Sequence, residues 1–188
     1  MKAQLYDALV VIDLQNGVCH DKTEIFGLEL LTKQVNERIL LYKEQQKQII
    51  FIQHADKELI SGTTAWKIIP EIIQPNEARY IEKTHADAFL ETALQNMLME
   101  LNIQTLEICG TQTEYCVDTS IKVAHHLGYQ VRKLHSLTTT YDNAWINLHF
   151  YETTNVFSPF LIRLLMRQGF FWLSDSRICF IIGKSKIA

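Results

Sequence analysis

Apolar positions along the chain switch repeatedly between unbroken short runs and stripes at helical spacing. Ala8 to Ile12, ALVVI, holds no polar residue and ends at Asp13, which fits a strand buried on both faces with a carboxylate at its C-terminal edge. From Leu28 to Gln48 the spacing predicts one long helix, because Leu28, Leu31, Val35, Ile39 and Tyr42 share a face with charges opposite. Ile49 to Gln53, IIFIQ, is a second buried strand ending at His54, and Ala78 to Ile81 a weaker third, followed by Glu82, Lys83 and Thr84. Leu90, Ala93, Leu94, Met97, Leu98 and Leu101 mark another amphipathic helix.

The stretch Thr105 to Tyr129 carries the most information. Its β-branched and apolar run (Leu106, Ile108, Cys109) stops at Gly110, a polar turn follows, and Cys116 opens a helical pattern of Val117, Ile121, Ala124 and Leu127 that stops at Gly128. A fifth strand, Gln130 to Leu134, comes next. Strand and helix in alternation predict an α/β fold: a doubly wound, Rossmann-like parallel sheet of five to six strands with helices on both faces.

That architecture places chemistry. In open parallel sheets the ligand sits outside the carboxyl ends of the strands. Three reactive residues fall at such ends: Asp13 after the first strand, Lys83 after the third and Cys116 beyond the fourth. A thiol at a helix start meets unpaired N–H groups and the positive end of the helix dipole, which favours a thiolate and can hold an oxyanion. Blander roles compete with this one. Free cysteines are mostly buried packing residues, an aspartate at a strand end often caps a turn, and lysines are mostly solvated. The joint placement at three strand ends favours function.

Composition narrows the field. The chain has 188 residues, a formal net charge of -3 and four cysteines, Cys19, Cys109, Cys116 and Cys179. No basic run invites nucleic acid. Scattered cysteines without a secretory signal point to a cytoplasmic setting. The spacing from Cys109 to Cys116 fits neither a redox C-x-x-C nor a common zinc pattern. Phe157 to Leu173 is apolar but holds Pro159, Arg163 and Arg167, a poor membrane span. One domain over 1–188 is expected, with an atypical segment at 145–188.

Four blocks, ALVVIDLQNGV, AWKIIPEI, IEKTHADAF and ICGTQTEYCVDTSIKVAHHLGYQV, resemble the isochorismatase-like cysteine hydrolase superfamily, which also holds nicotinamidases, N-carbamoylsarcosine amidohydrolases and ureidoacrylate-type amidases. The resemblance spans roughly residues 8 to 142 and implies an Asp-Lys-Cys triad, here Asp13, Lys83 and Cys116. It also implies a cis peptide at Thr111–Gln112 and an oxyanion hole from the backbone N–H groups of Gln112 and Cys116. The expected reaction is cysteine-dependent hydrolysis of a small amide or ureide through a thioester. The alternatives are vinyl ether hydrolysis of the isochorismatase type, which needs the acid and amine but not the thiol, a non-catalytic binding protein on the same fold, and a redox thiol paired with Cys109.

Gln15, His54, Trp66, Phe89 and Tyr115 are the expected substrate contacts, with Phe26 a further candidate for the pocket wall. Gln15 lines the pocket or braces the turn after Asp13, while Thr113 and Glu114 fix the turn before the thiol. No metal is expected. The nicotinamidase branch has a D-x-H pair and a later histidine, whereas here His54 and Asp56 stand in reverse order with no further histidine between them and His85. His20, His125, His126, His135 and His149 lack the company of ligands. No cofactor is expected. The expected partners are a small-molecule substrate and further copies of the chain, not nucleic acid or membrane.

The C-terminal region departs from the family pattern. Phe160, Leu161, Leu164, Leu165 and Gln168 fit one helix, and Ile178 to Ile182 a last strand ahead of Gly183. So dense an apolar tail reads either as a subunit contact or as sequence from an altered reading frame.

Overall fold

The unbroken apolar run at the start of the chain becomes the central strand. In the computed structural model, which describes residues 5–141, 171–174 and 177–180, β1 (Ala8–Ile12) is buried along its whole length. A strand with no exposed face must be covered on both sides and paired on both edges. β1 pairs in parallel with β2 (Gln48–His54) on one side and β4 (Thr105–Thr111) on the other. β3 (Arg79–Lys83) lies outside β2, and β5 (Gln130–Thr139) outside β4, giving the order β3-β2-β1-β4-β5 with all pairs parallel. Strand order reverses at β1, so the crevice expected for a ligand opens between the C-terminal ends of β1 and β4.

Two apolar layers flank the sheet. On one face, Leu9, Val11, Phe51 and Cys109 pack with Leu31, Val35, Ile39 and Tyr42 of α2 (Leu28–Glu44). On the other, Val10, Ile12, Ile50, Ile52, Leu106 and Ile108 meet Leu94 and Leu98 of α3 (Leu94–Glu100) and Ala124 of α4 (Asp118–His126). A short α1 (Asn16–Cys19) follows β1.

Several boundaries differ from the pattern in the sequence. α2 ends at Glu44, and the polar Gln46 turns through a left-handed φ of 53° to start β2 at Gln48. Lys83 is the last residue of β3 and does not follow it. α3 starts only at Leu94, after Glu91 takes a left-handed φ of 55°. The helix at the thiol begins at Thr113 as a π-helical turn (Thr113–Val117), so Cys116 lies inside that turn. β5 runs on to Thr139, with an irregularity opposite Ile108 and Gly110.

The chain divides into two compact units, Met1–Asp142 and Asn143–Ala188. In the second, β6 (Phe171–Ser174) and β7 (Arg177–Phe180) form an antiparallel pair. β7 overlaps the strand expected at 178–182, while the helix expected from Phe160 to Gln168 lies outside the described residues. Among the described residues no helix is long and apolar enough to cross a membrane.

The fold buries one carboxylate that the apolar patterning hid. Glu107, in the middle of β4, is fully buried beneath α2. Arg38 grips it with both Nε and Nη2, the latter at 2.6 Å, Arg132 reaches it from β5 through Nε (3.1 Å) and Nη2, and the Tyr42 hydroxyl donates to it at 3.2 Å. Burial alone would push the carboxyl up, but the two guanidiniums outweigh it and hold it below the ordinary glutamate range. Its contribution to stability is therefore present above the unfolded-state value and is lost as pH falls through the lower folded value. Glu107→Gln should cost about 3–5 kcal/mol at neutral pH, by taking the carboxylate away from the buried Arg38 guanidinium, and should flatten the acid side of a pH–stability curve from urea denaturation.

Gly110 sets how closely β4 approaches β1. Its φ is +116°, and a Cβ there would lie 2.0 Å from the Ile12 carbonyl oxygen. Gly110→Ala should cost at least about 3 kcal/mol, read as a fall in the urea midpoint.

Candidate active site

Backbone geometry at the strand ends turns three side chains toward one point. Asp13 follows Leu9 and Val11 in the alternation of β1 and would face α2. Instead it takes a left-handed φ of 52° while its N–H bonds to the Ile52 carbonyl at 2.9 Å. Aspartate is among the residues that tolerate this conformation best. Thr111 ties the far side, its hydroxyl donating to the Asp13 carbonyl at 2.9 Å. Lys83 shares the inward face of β3 with Ile81. Its Nζ lies 2.8 Å from Asp13 Oδ2 and 3.2 Å from Cys116 Sγ. Both Asp13 and Lys83 are buried, at 2% and 1% exposure, whereas Cys116 is half-buried. The sulfur is thus the member of the cluster that an incoming molecule can meet.

The peptide bond between Thr111 and Gln112 is cis. Beyond it, the Gln112 carbonyl accepts the N–H of Tyr115 at 3.1 Å and of Val117 at 3.3 Å, the second being the wide i to i+5 contact of a π turn. Glu114 takes a 2.7 Å bond from the Thr140 hydroxyl and Thr113 is buried, which anchors the turn to the end of β5.

Electrostatics correct one expectation. The helix start and Lys83 are expected to favour the thiolate, but burial, followed by the Asp13 carboxylate, pushes the Cys116 thiol up to about 12, against a smaller opposing effect of Lys83. Asp13 is itself raised above the usual carboxylate range, by burial first, with the Lys83 ammonium opposing. Its Oδ1 is buried without a hydrogen-bond partner. At rest the cluster is thus a neutral thiol beside a carboxylate of raised basicity.

The remaining expected contacts divide. Gln15 is fully buried and ties the end of β2 to the loop at Trp66. Its amide donates to the carbonyls of His54 (2.9 Å) and Trp66 (2.7 Å) and accepts the His54 N–H at 2.7 Å. Both of its N–H groups are thus used within the protein, and the side chain has no exposed surface to offer substrate. Phe89 is a core residue stacked on Tyr129 at 6.0 Å. His54 pairs in register with Lys83 across β2 and β3, and its Nδ1 lies 3.2 Å from Nζ. Trp66 is half-buried, and its indole Nε1 is buried without a partner. Tyr115, beside the thiol, is 57% exposed, and Phe26 is exposed as well. Cys109 belongs to the α2 face and Cys116 to the opposite one, so the sheet itself separates the two sulfurs. That placement gives no support to the redox-pair alternative.

No group of three His, Cys, Asp or Glu side chains suited to a metal occurs among the described residues. Sequence reasoning gave Thr111 only as part of the cis peptide and Asp56 only as a rejected metal ligand, and it missed Gln53, whose amide also reaches the Trp66 carbonyl at 3.1 Å. Only the polar character of Thr111 and Gln53 at strand ends offered a signal.

A doubly wound parallel sheet with a buried acid–amine pair and a half-open thiol at its switch point defines a class of α/β enzyme. Comparison with known proteins gives the family. The isochorismatase domain model matches residues 7–160, so the chain belongs to the isochorismatase family and is a hydrolase. A crystal structure of an isochorismatase family protein is 38% identical, covering 77% of this chain and 90% of its own, with a TM-score of 0.73. The uncharacterized isochorismatase family protein YrdC of Bacillus subtilis (strain 168) is 26% identical, covering 79% of this chain and 82% of its own length. Nicotinamidase 3 of Arabidopsis thaliana is also 26% identical, over 72% and 74% respectively.

Removing the Asp13 charge tests the electrostatic account of the thiol. Iodoacetamide should alkylate Cys116 slowly at pH 7 in the native protein. Asp13→Asn should raise that rate about tenfold, as for a thiol lowered by one unit, measured by mass spectrometry of the Cys116 peptide. An unchanged or lower rate would contradict it.

Proposed function

We propose that the protein hydrolyses the C–N bond of a small amide or ureide, with Cys116 as nucleophile, Asp13 as base and acid, and Lys83 as the fixed charge that holds both. The observation that carries this reading is the position of one buried ammonium, 2.8 Å from a carboxylate and 3.2 Å from a sulfur. Kinship with a nicotinamidase supports an amide as the substrate class.

Substrate enters beside Tyr115 and Trp66, with its carbonyl carbon at Sγ. The thiol proton passes to Asp13 as sulfur adds to the carbonyl, and the backbone N–H groups of Gln112 and Cys116 receive the oxyanion. Collapse expels the amine, which takes the proton from Asp13, and leaves a thioester. Water then loses a proton to Asp13, attacks the thioester and releases the acid, and the proton returns to sulfur. Each step uses one proton and one base, so the raised basicity of Asp13 serves both halves of the cycle. The vinyl ether alternative would leave Cys116 idle, a poor account of a sulfur held against Lys83.

A panel of small amides, ureides and nicotinamide should give ammonia release with at least one member, with isochorismate as the comparison substrate. Cys116→Ala should lower kcat at least about 1,000-fold with the urea midpoint nearly unchanged. Full activity on isochorismate in Cys116→Ala would replace this reading by the vinyl ether one.

A further inference from the structure

The hydrolase scheme uses two of the three contacts that Lys83 makes. An ammonium has three N–H donors and no acceptor, and the third partner of Nζ is His54 Nδ1 at 3.2 Å. To accept that bond, Nδ1 must be without a proton, which places the ring hydrogen on Nε2. Nε2 in turn faces Asp56 Oδ2 at 3.3 Å. Asp56 is fixed by its own loop, since Oδ1 accepts the N–H groups of Glu58 (2.8 Å) and Leu59 (2.7 Å). Those backbone bonds lead in holding its carboxyl below the usual range, so it stays ionised and able to accept. The order runs from a half-exposed Asp56 through a His54 side chain 22% exposed to a Lys83 that is sealed inside.

We propose that Asp56 and His54 act as a positioning pair that fixes the tautomer of the imidazole and, through it, the rotation of the Lys83 ammonium, so that its other two N–H bonds point at Asp13 and Cys116. The pairing rests on the triad reading, because it acts only through Lys83. A buried ammonium with one donor unsatisfied would turn between its remaining acceptors, and the thiol and carboxylate would lose their fixed mutual geometry. His54 thereby acquires a task other than contact with substrate.

Long-range 1H–15N spectroscopy of the whole native protein reads the tautomer directly. The expected result is a His54 ring with its proton on Nε2 and none on Nδ1, with that preference weakened in Asp56→Ala, which removes the acceptor at Nε2. A proton on Nδ1 would overturn the pairing, whatever the enzyme hydrolyses. In kinetics, His54→Leu should lower kcat about 10- to 100-fold with KM within about twofold. His54→Asn, whose Oδ1 can stand where Nδ1 stood, should recover most of the loss. Equal impairment in both variants, or none in either, would also overturn it. A native protein inactive on every amide and ureide would sink the proposed amide hydrolysis alone, because the tautomer decides the pairing without turnover.

Discussion

The burial of the Lys83 ammonium against the Asp13 carboxylate is the constraint on which the site depends. Two opposite charges withdrawn from water are tolerable only with close contact and with their remaining hydrogen-bonding capacity met. Here the contact is 2.8 Å, and Lys83 spans from the third strand to the first across the end of β2. Such a pair cannot relax locally. It requires Asp13 to leave the alternation of its strand, β2 to end beside it, and the turn after β4 to bring sulfur within reach. The unusual backbone at Asp13 and Gly110, and the hydroxyl of Thr111 on the Asp13 carbonyl, all serve the same few ångströms.

Much of the frame was legible because it is made of unbroken apolar runs. β1, β2 and β4 carry their burial in their composition, and the amphipathic stripe of α2 shows its inner face. β3 was weaker for a physical reason. As an edge strand it exposes Arg79, Tyr80 and Glu82, and only Ile81 and Lys83 turn inward. The helix ends were misjudged where polar residues of indifferent propensity, such as Gln45 to Gln48, gave no stop signal, and left-handed glutamine or glutamate made the turn.

At the site, residue type and strand-end position identified Asp13, Lys83 and Cys116 as candidates. The supporting groups were beyond reach because they depend on register. Nothing in the chain says that Gln15 will clamp His54 and Trp66, or that His54 will stand opposite Lys83, until β2 and β3 are aligned. Glu107 is the same case in the core, since its arginine partners stand 69 and 25 residues away. Electrostatic sign was the other blind spot. Motif reasoning weighs the helix and the lysine, whereas burial and a neighbouring carboxylate weigh more.

The π turn carries one consequence for how this site could arise or be lost. A π turn holds one residue more than an α-helical turn of the same function, and each residue advances a helix by about 100°. Cys116 owes its bearing toward Lys83 to that surplus. A deletion of one residue between Gln112 and Cys116 would let the turn close as ordinary helix and swing the sulfur roughly a quarter of the way around the axis. The sheet, both apolar layers and the acid–amine pair would survive such a change. Chain length at one turn is therefore a second route, beside loss of the sulfur itself, by which this cluster is taken apart while the fold persists.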